Sequence, residues 1–255
     1  MAKPLILLTN DDGIYAQGIL AAWTELRKIG QVEVVAPDTE RSAVGHAITL
    51  LLPLRTKEVM RRNARFGYSV NGYPADCVKI AVGAILPRRP DLVVSGINLG
   101  SNTGTNVIYS GTVSAATEAS IIGIPSIAVS LTTFTQPNFT YAAKFTRKLA
   151  AAVLEHGLPP RTLLNVNVPN IPEDEIKGVM ITRQGESRVE EKFETRTDPR
   201  NQTYYWLAGQ FRLQEPRPDA DAAAVTEGYV SVTPTKFDLT ADAAIPLIKD
   251  WNLTP

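Results

Sequence analysis

The first 170 residues alternate short apolar runs with longer segments of helical spacing. PLILLT (4–9) and VEVVAP (32–37) are nearly continuous apolar runs of strand length, as in strands buried on both faces. Between them Ile19, Leu20, Trp23, Leu26 and Ile29 recur at steps of three and four, with Gly30 as a stop. That pattern predicts a strand–helix–strand unit. It continues with a helix near 74–86, a strand at 91–96, a helix at about 112–122, a strand at 125–130, a helix near 139–155 and a strand at 162–169. Such alternation calls for a mainly parallel sheet with helices on both faces, an α/β three-layer Rossmann-like fold. In these folds ligands bind beyond the carboxyl ends of the strands.

The pattern changes at residue 185. GESRVEEKFETRTDPRNQTYYWLAGQFRLQEPRPD is highly charged, with its aromatics packed into YYW. It predicts an extended hairpin arm reaching out from the body, suited to protein contact. GYVSVTPT (228–235) returns as a strand, and AAIPLIKDW (243–251) as a short terminal helix. The expected organisation is therefore a Rossmann-like domain over 1–184, a protruding oligomerisation arm over 185–218, and a segment over 219–255 returning to the core or to a partner subunit. Asn71-Gly72 reads as a hairpin turn.

Composition narrows the function. With 44% hydrophobic and 20% charged residues among 255, the chain is an ordinary globular protein. Lys plus Arg equals 26 and Asp plus Glu equals 26, so no overall basic field holds a nucleic-acid polymer or an anionic membrane. Any anion must be bound by a shaped local site. One cysteine, Cys77, fits a reducing compartment, and two histidines, His46 and His156, argue against a His-rich zinc site. The N-terminal apolar run is too short and too soon charged for a signal peptide or membrane span, which makes a cytoplasmic location the expectation.

Three loops fall where a ligand would sit. After the first strand comes Asn10-Asp11-Asp12-Gly13. Adjacent carboxylates repel, and in a regular strand they point to opposite faces. Gly13 gives the backbone freedom to turn both toward one ion. Two carboxylates with neutral oxygens suit Mg²⁺ or Mn²⁺, although Asx-Gly clusters also make ordinary turns. SGINLGSNTGTNVIYSGT (95–112) has four glycines and three asparagines before a helix, and Ser110, Gly111 and Thr112 stand at the expected helix start. Converging N–H groups there can cradle a phosphate, or simply cap the helix. Its order matches neither the dinucleotide nor the P-loop pattern. APDTERSAVGH (36–46) offers Ser42 as a neutral oxygen and Arg41 as a cation. His46 fits loop packing or the rim of a site. Glu118 reads as a salt-bridge or capping partner, Asp76 as a helix-start residue, and Cys77 as a core thiol.

LTNDDG, APDTERSAVGHAIT, VNGYPADCVK, DLVVSGINLGSNTG, YSGTVSAATEA and LLNVNVP occur in this order. Together they resemble the SurE family of survival-protein nucleotidases, over residues 5 to 169 with a weaker echo at SVTPTKFDLT. The resemblance implies a metal-dependent phosphomonoesterase acting on nucleoside 5′- and 3′-monophosphates, and in some members on short polyphosphates. It implies one divalent ion per subunit on Asp11, Asp12, Ser42 and Asn98, with Asp11 and Asp12 catalytic. Phosphate contacts fall on Asn102, Ser110, Gly111 and Thr112. It further implies homodimers or homotetramers that exchange C-terminal segments. The chain departs from the family's pattern at Tyr73, usually Thr, and at Ala119, usually Gly. It also lacks a histidine beyond His156 to match one considered catalytic in some members.

On this reading a water activated by the metal attacks phosphorus, with Asp11 or Asp12 as general base. Direct attack by Asp11, giving an aspartyl-phosphate, is the chemical alternative. A metal- and nucleotide-binding sensor without turnover is the non-enzymatic one.

Overall fold

The computed structural model describes residues 3–61, 63–212, 217–251 and 253. Residues 213–216 of the expected arm, and 252, 254 and 255 of the expected terminal segment, lie outside the described residues. The described strands are β1 (Leu5–Thr9), β2 (Gln31–Pro37), β3 (Thr56–Arg61), β4 (Ala64–Val70), β5 (Leu92–Leu99), β6 (Ser126–Leu131), β7 (Leu163–Val168), β8 (Val179–Ile181), β9 (Arg188–Thr197), β10 (Thr203–Arg212) and β11 (Val230–Thr235). The helices are α1 (Gln17–Leu26), α2 (Pro74–Ile80), α3 (Gly111–Ile121), α4 (Phe139–His156), α5 (Asp221–Thr226) and α6 (Ala244–Lys249).

Nine strands form one sheet in the order β3-β4-β2-β1-β5-β6-β7-β11-β8. From β4 to β7 every pairing is parallel, while β3 and β11 run antiparallel to β4 and β7. Alternate side chains of each strand enter opposite layers. Ile6 and Leu8 of β1 pack in one core with Ile19 and Leu26 of α1 and Ala142 and Val153 of α4. Leu7 packs in a second core with Cys77 and Val78 of α2 and Ala115 and Ala119 of α3. These are the three layers that the sequence pattern requires.

From β1 the chain winds outward through β2 to β4, then crosses back to lay β5 on the other side of β1. The strand order therefore reverses between β1 and β5, and a crevice opens beyond their carboxyl ends. Close packing brings α1 onto that junction: a Cβ at Gly18 would lie 1.9 Å from the Ile97 carbonyl oxygen. β9 and β10 pair with each other alone, forming the expected hairpin arm. β8, before the arm, and β11, in the 219–255 segment, both lie in the large sheet, β11 between β7 and β8.

Several sequence expectations change. Asn71-Gly72 joins β4 to α2 and is no hairpin turn; Asn71 Oδ1 instead accepts the Arg55 N–H at 2.7 Å. The hairpin of this region is β3–β4, whose polar, largely exposed β3 gives no apolar signal. The helix predicted to reach residue 86 keeps α-geometry only to Ile80 and then makes one wide π turn at Ala81–Ile85. β5 runs to Leu99, three residues beyond the expected end, which puts Asn98 on the strand rather than in the loop.

Candidate active site

Thr9 and Asn10 continue the buried end of β1, and the chain then turns at Gly13, whose φ is +92°. The Asn10 side-chain amide donates to the Gly13 carbonyl at 2.9 Å and closes this turn. Asp11 and Asp12 are thereby aimed at different partners across the crevice. Asp11 Oδ2 accepts the Thr112 N–H at 3.1 Å, and its Oδ1 accepts the Thr112 hydroxyl. Asp12 Oδ2 accepts the Leu99 N–H at 3.3 Å, beside Asn98 on β5.

Gly111 is required by closeness. A Cβ there would fall 2.8 Å from Asp11 Cβ and 3.2 Å from the Arg41 carbonyl oxygen. The first turn of α3 thus rests directly on the end of β1. Ser110 caps that helix, its Oγ accepting the Val113 N–H at 3.1 Å.

Burial works against both carboxylates. Asp11 is 4% exposed, and desolvation raises its pKa despite the opposing bonds from Thr112. The Asp12 carboxyl is pushed up to about 7, first by burial and then by the negative charge of Asp11. A cation between them would relieve both effects.

The crevice is a cleft of about 940 Å³ whose wall includes Asp11, Ser42, Asn98, Asn102 and Ser110. Five of the eight sequence-predicted residues therefore face one space. Asp12, Gly111 and Thr112 stand behind that wall, in contact with it. Thr112 serves Asp11 with both its N–H and its hydroxyl. Arg41 turns away, with Nη2 3.6 Å from Asp38 and its guanidinium 5.6 Å above the Tyr73 ring. Tyr73, a departure from the family's pattern, is thus the platform beneath Arg41. Cys77 is fully buried in the core, as expected, and burial raises its thiol pKa.

Sequence reasoning missed the support of Asn102. Its side-chain amide donates to Ser130 Oγ at 2.8 Å, and its N–H donates to Asn167 Oδ1 at 2.8 Å. Its carbonyl accepts the side-chain amides of Asn165 at 2.8 Å and Asn167 at 3.0 Å. The signal was present: two asparagines at i and i+2 in the apolar run LLNVNV share one face of a buried strand. Also missed was Asp221, fully buried, which accepts the N–H groups of Gly104 (3.0 Å) and Gly185 (3.0 Å) and fastens the glycine loop to the root of the arm.

The profile of the family described as survival protein SurE matches residues 6–191. The chain belongs to the SurE family. It is 52% identical over 248 residues to the 5′-nucleotidase SurE of Syntrophobacter fumaroxidans, covering 97% of this chain and 99% of that protein. It is 51% identical over 253 residues to the 5′-nucleotidase SurE of Chlorobium phaeobacteroides, covering 99% and 98%. The crystal structure of the SurE protein from Aquifex aeolicus superposes with a TM-score of 0.86 at 42% identity, over 97% and 99% of the two chains. Among the described residues, no helix is long and apolar enough to cross a membrane.

Proposed function

We propose that the chain is a metal-dependent nucleotidase that hydrolyses nucleoside 5′- and 3′-monophosphates, and short polyphosphates, in the cytoplasm. The observation that carries the proposal is the junction of Asp11 with the first turn of α3 in a cleft shared with Asn98 and Ser110. The proposed metal ligand Asp11 there touches the first turn of the helix proposed to face the phosphate.

The donor set fits one Mg²⁺ or Mn²⁺ held by Asp11, Asp12, Ser42 and Asn98. All four offer oxygen, the preference of hard cations. Among the described residues no three or more His, Cys, Asp or Glu come together, so the two carboxylates would need the neutral oxygens of Ser42 and Asn98 to complete the set. Asn98 donates its amide N–H to the Gly100 carbonyl at 2.8 Å, a bond that orients the side chain and leaves its Oδ1 as the acceptor. The divalent charge would balance the two carboxylates and so lessen their repulsion of a phosphate dianion.

When bound, the ion supplies Lewis-acid polarisation of a phosphoryl oxygen and makes water acidic enough to attack near neutral pH. Asn102 and Ser110 hold the phosphate from the cleft wall, and the backbone around Gly111 and Thr112 adds the positive end of α3. Thr112 also fixes the rotamer of Asp11. Asp11 or Asp12, the two carboxylates at the end of β1, would take the proton from the attacking water. The arm over 185–218 mediates assembly into a homodimer or homotetramer.

Chelator-stripped protein incubated with AMP and Mn²⁺ tests the proposal. Phosphate release that needs the added ion is expected; nucleotide binding without release would leave a sensor instead. Acid quenching during turnover should yield no phosphoprotein, whereas a labelled Asp11 would establish the aspartyl-phosphate route.

A further inference from the structure

Ser42 lies on the long connection between β2 and β3, a segment without helix or strand from Asp38 to Arg55. Its placement on the cleft wall with Asp11 must come from other contacts. On one side, the Arg41 N–H donates to the Asp11 carbonyl at 2.7 Å. On the other, the Gly45 N–H donates to the Tyr109 carbonyl at 2.9 Å. Between these feet Ser42, Ala43 and Val44 form a short arch. Ala43 sits at φ +56°, a left-handed conformation unfavourable for a residue with a Cβ. An exposed arch strained in this way relaxes unless its feet are held.

The foot at Gly45 has a strut beside it. His46 Nε2 lies 2.9 Å from Glu118 Oε2, and Glu118 Oε1 lies 2.7 Å from Lys79 Nζ. Glu118 is 3% exposed on α3, two turns beyond the proposed phosphate cradle. The net effect of His46 and Lys79 overcomes its burial and keeps its carboxyl below the ordinary range. Beyond the strut a second buried carboxylate, Asp76, accepts the Thr49 N–H at 3.0 Å and the Thr49 hydroxyl at 2.7 Å. The described contacts of the cleft use neither His46 nor Glu118, so neither is needed to touch substrate.

We propose that His46 and Glu118 are a positioning pair: their bond ties the Ser42 arch to the same helix that presents Ser110, fixing the metal side of the cleft relative to the phosphate side. The inference rests on the proposed role of Ser42 as a metal ligand. It assigns a function to His46 that needs no contact with the reacting atoms.

Three variants and two measurements decide it. In chelator-treated protein, His46→Ala should speed amide hydrogen exchange in peptides covering 42–49 by about tenfold or more, with the rest of α3 unchanged. His46→Gln keeps an amide N–H that can reach Glu118 and should restore near-wild-type protection. In Mn²⁺ titrations followed by calorimetry, His46→Ala should weaken binding several-fold, while kcat at saturating Mn²⁺ stays within about twofold. Wild-type exchange in His46→Ala overturns the pair, as does faster exchange with unchanged Mn²⁺ affinity. Ser42→Ala separates the two levels. If it weakens Mn²⁺ binding and His46→Ala does not, the strut alone is wrong. If Ser42→Ala binds Mn²⁺ normally, the ligand role fails, and with it the claim that the strut positions the metal side.

Discussion

Asp11 joins the two halves of the proposed chemistry, since the carboxylate proposed to hold the metal also meets the start of α3. Asp11→Asn keeps the shape and one acceptor oxygen for Thr112 but removes the charge. Phosphate release should fall by about 10²-fold or more, while the fold is retained. Because burial disfavours the Asp11 charge, the same change should leave the metal-free melting temperature unchanged or raise it. Full turnover by Asp11→Asn would remove Asp11 from the mechanism. Asp12 has a distinct signature in pH. Its carboxyl titrates at about 7 in the folded protein against an ordinary value of 3.8. A raised acid pKa means that the folded state holds the proton more tightly, so this contribution to stability is complete below about pH 4. It is then lost as pH rises toward 7. Metal-free protein should therefore melt lower at pH 8 than at pH 5, and Asp12→Asn should reduce the difference, the remainder coming from Asp11, whose pKa burial also raises. Stabilisation by Mn²⁺ should run the other way, growing as pH rises, because the ligand must be ionised. Calorimetric scans with chelator and with Mn²⁺ check both signs.

At the scale of elements, two close approaches set the geometry. The α1–β5 contact allows no side chain at Gly18, where a Cβ would lie 1.9 Å from the Ile97 carbonyl oxygen. Gly18→Ala must push α1 off the strand that carries Asn98. Overpacking of this kind costs about 1–3 kcal/mol, so a melting temperature lower by several degrees is expected. Loss of Mn²⁺ affinity should accompany it, and an unchanged melting curve would contradict the packing. Behind the phosphate side, β7 supports Asn102 through Asn165 and Asn167. Asn167→Leu removes both its bonds to Asn102. A raised KM for AMP with little change in Mn²⁺ affinity should follow, which steady-state kinetics and calorimetry can separate. These elements were unequally legible. β1, β2, β6 and β7 announced themselves by apolar runs because both faces of each are covered. β3 did not, because it is a largely exposed edge strand whose alternation carries little apolar signal. The spurious hairpin at Asn71-Gly72 has a related cause: an Asx-Gly pair frees the backbone to turn but does not say what element follows it.

On the scale of the whole molecule, the arm stands apart from the large sheet. Phe193 and Leu207 are directly paired across β9 and β10, and with Tyr205 they occupy one face. They are 60–64% exposed, with Trp206 at 57% on the opposite face. Aromatic residues held this far into solvent are characteristic of interface anchors. Trp206→Ser with Phe193→Ser should dissociate the proposed assembly, read as a smaller species in sedimentation velocity. Leu207 and Gly209 also line the cleft, so the same change should raise KM as well. An unchanged sedimentation coefficient would show that the arm is not the interface.

The sequence by itself determined the class of fold and which polar residues follow the ends of the strands. Both follow from local spacing: strand period, helix period, and glycine next to groups that must turn. Only the tertiary structure decided which ends meet. Asp11 and Thr112 are 101 positions apart, and Asp12 and Leu99 are 87 apart. They come together because β5 returns beside β1 and α3 starts over the junction. Strand order is set by how whole faces pack, a long-range property that no local period encodes. The same long-range packing fixed the support of Asn102 by Asn165 and Asn167, and the bond from His46 to Glu118.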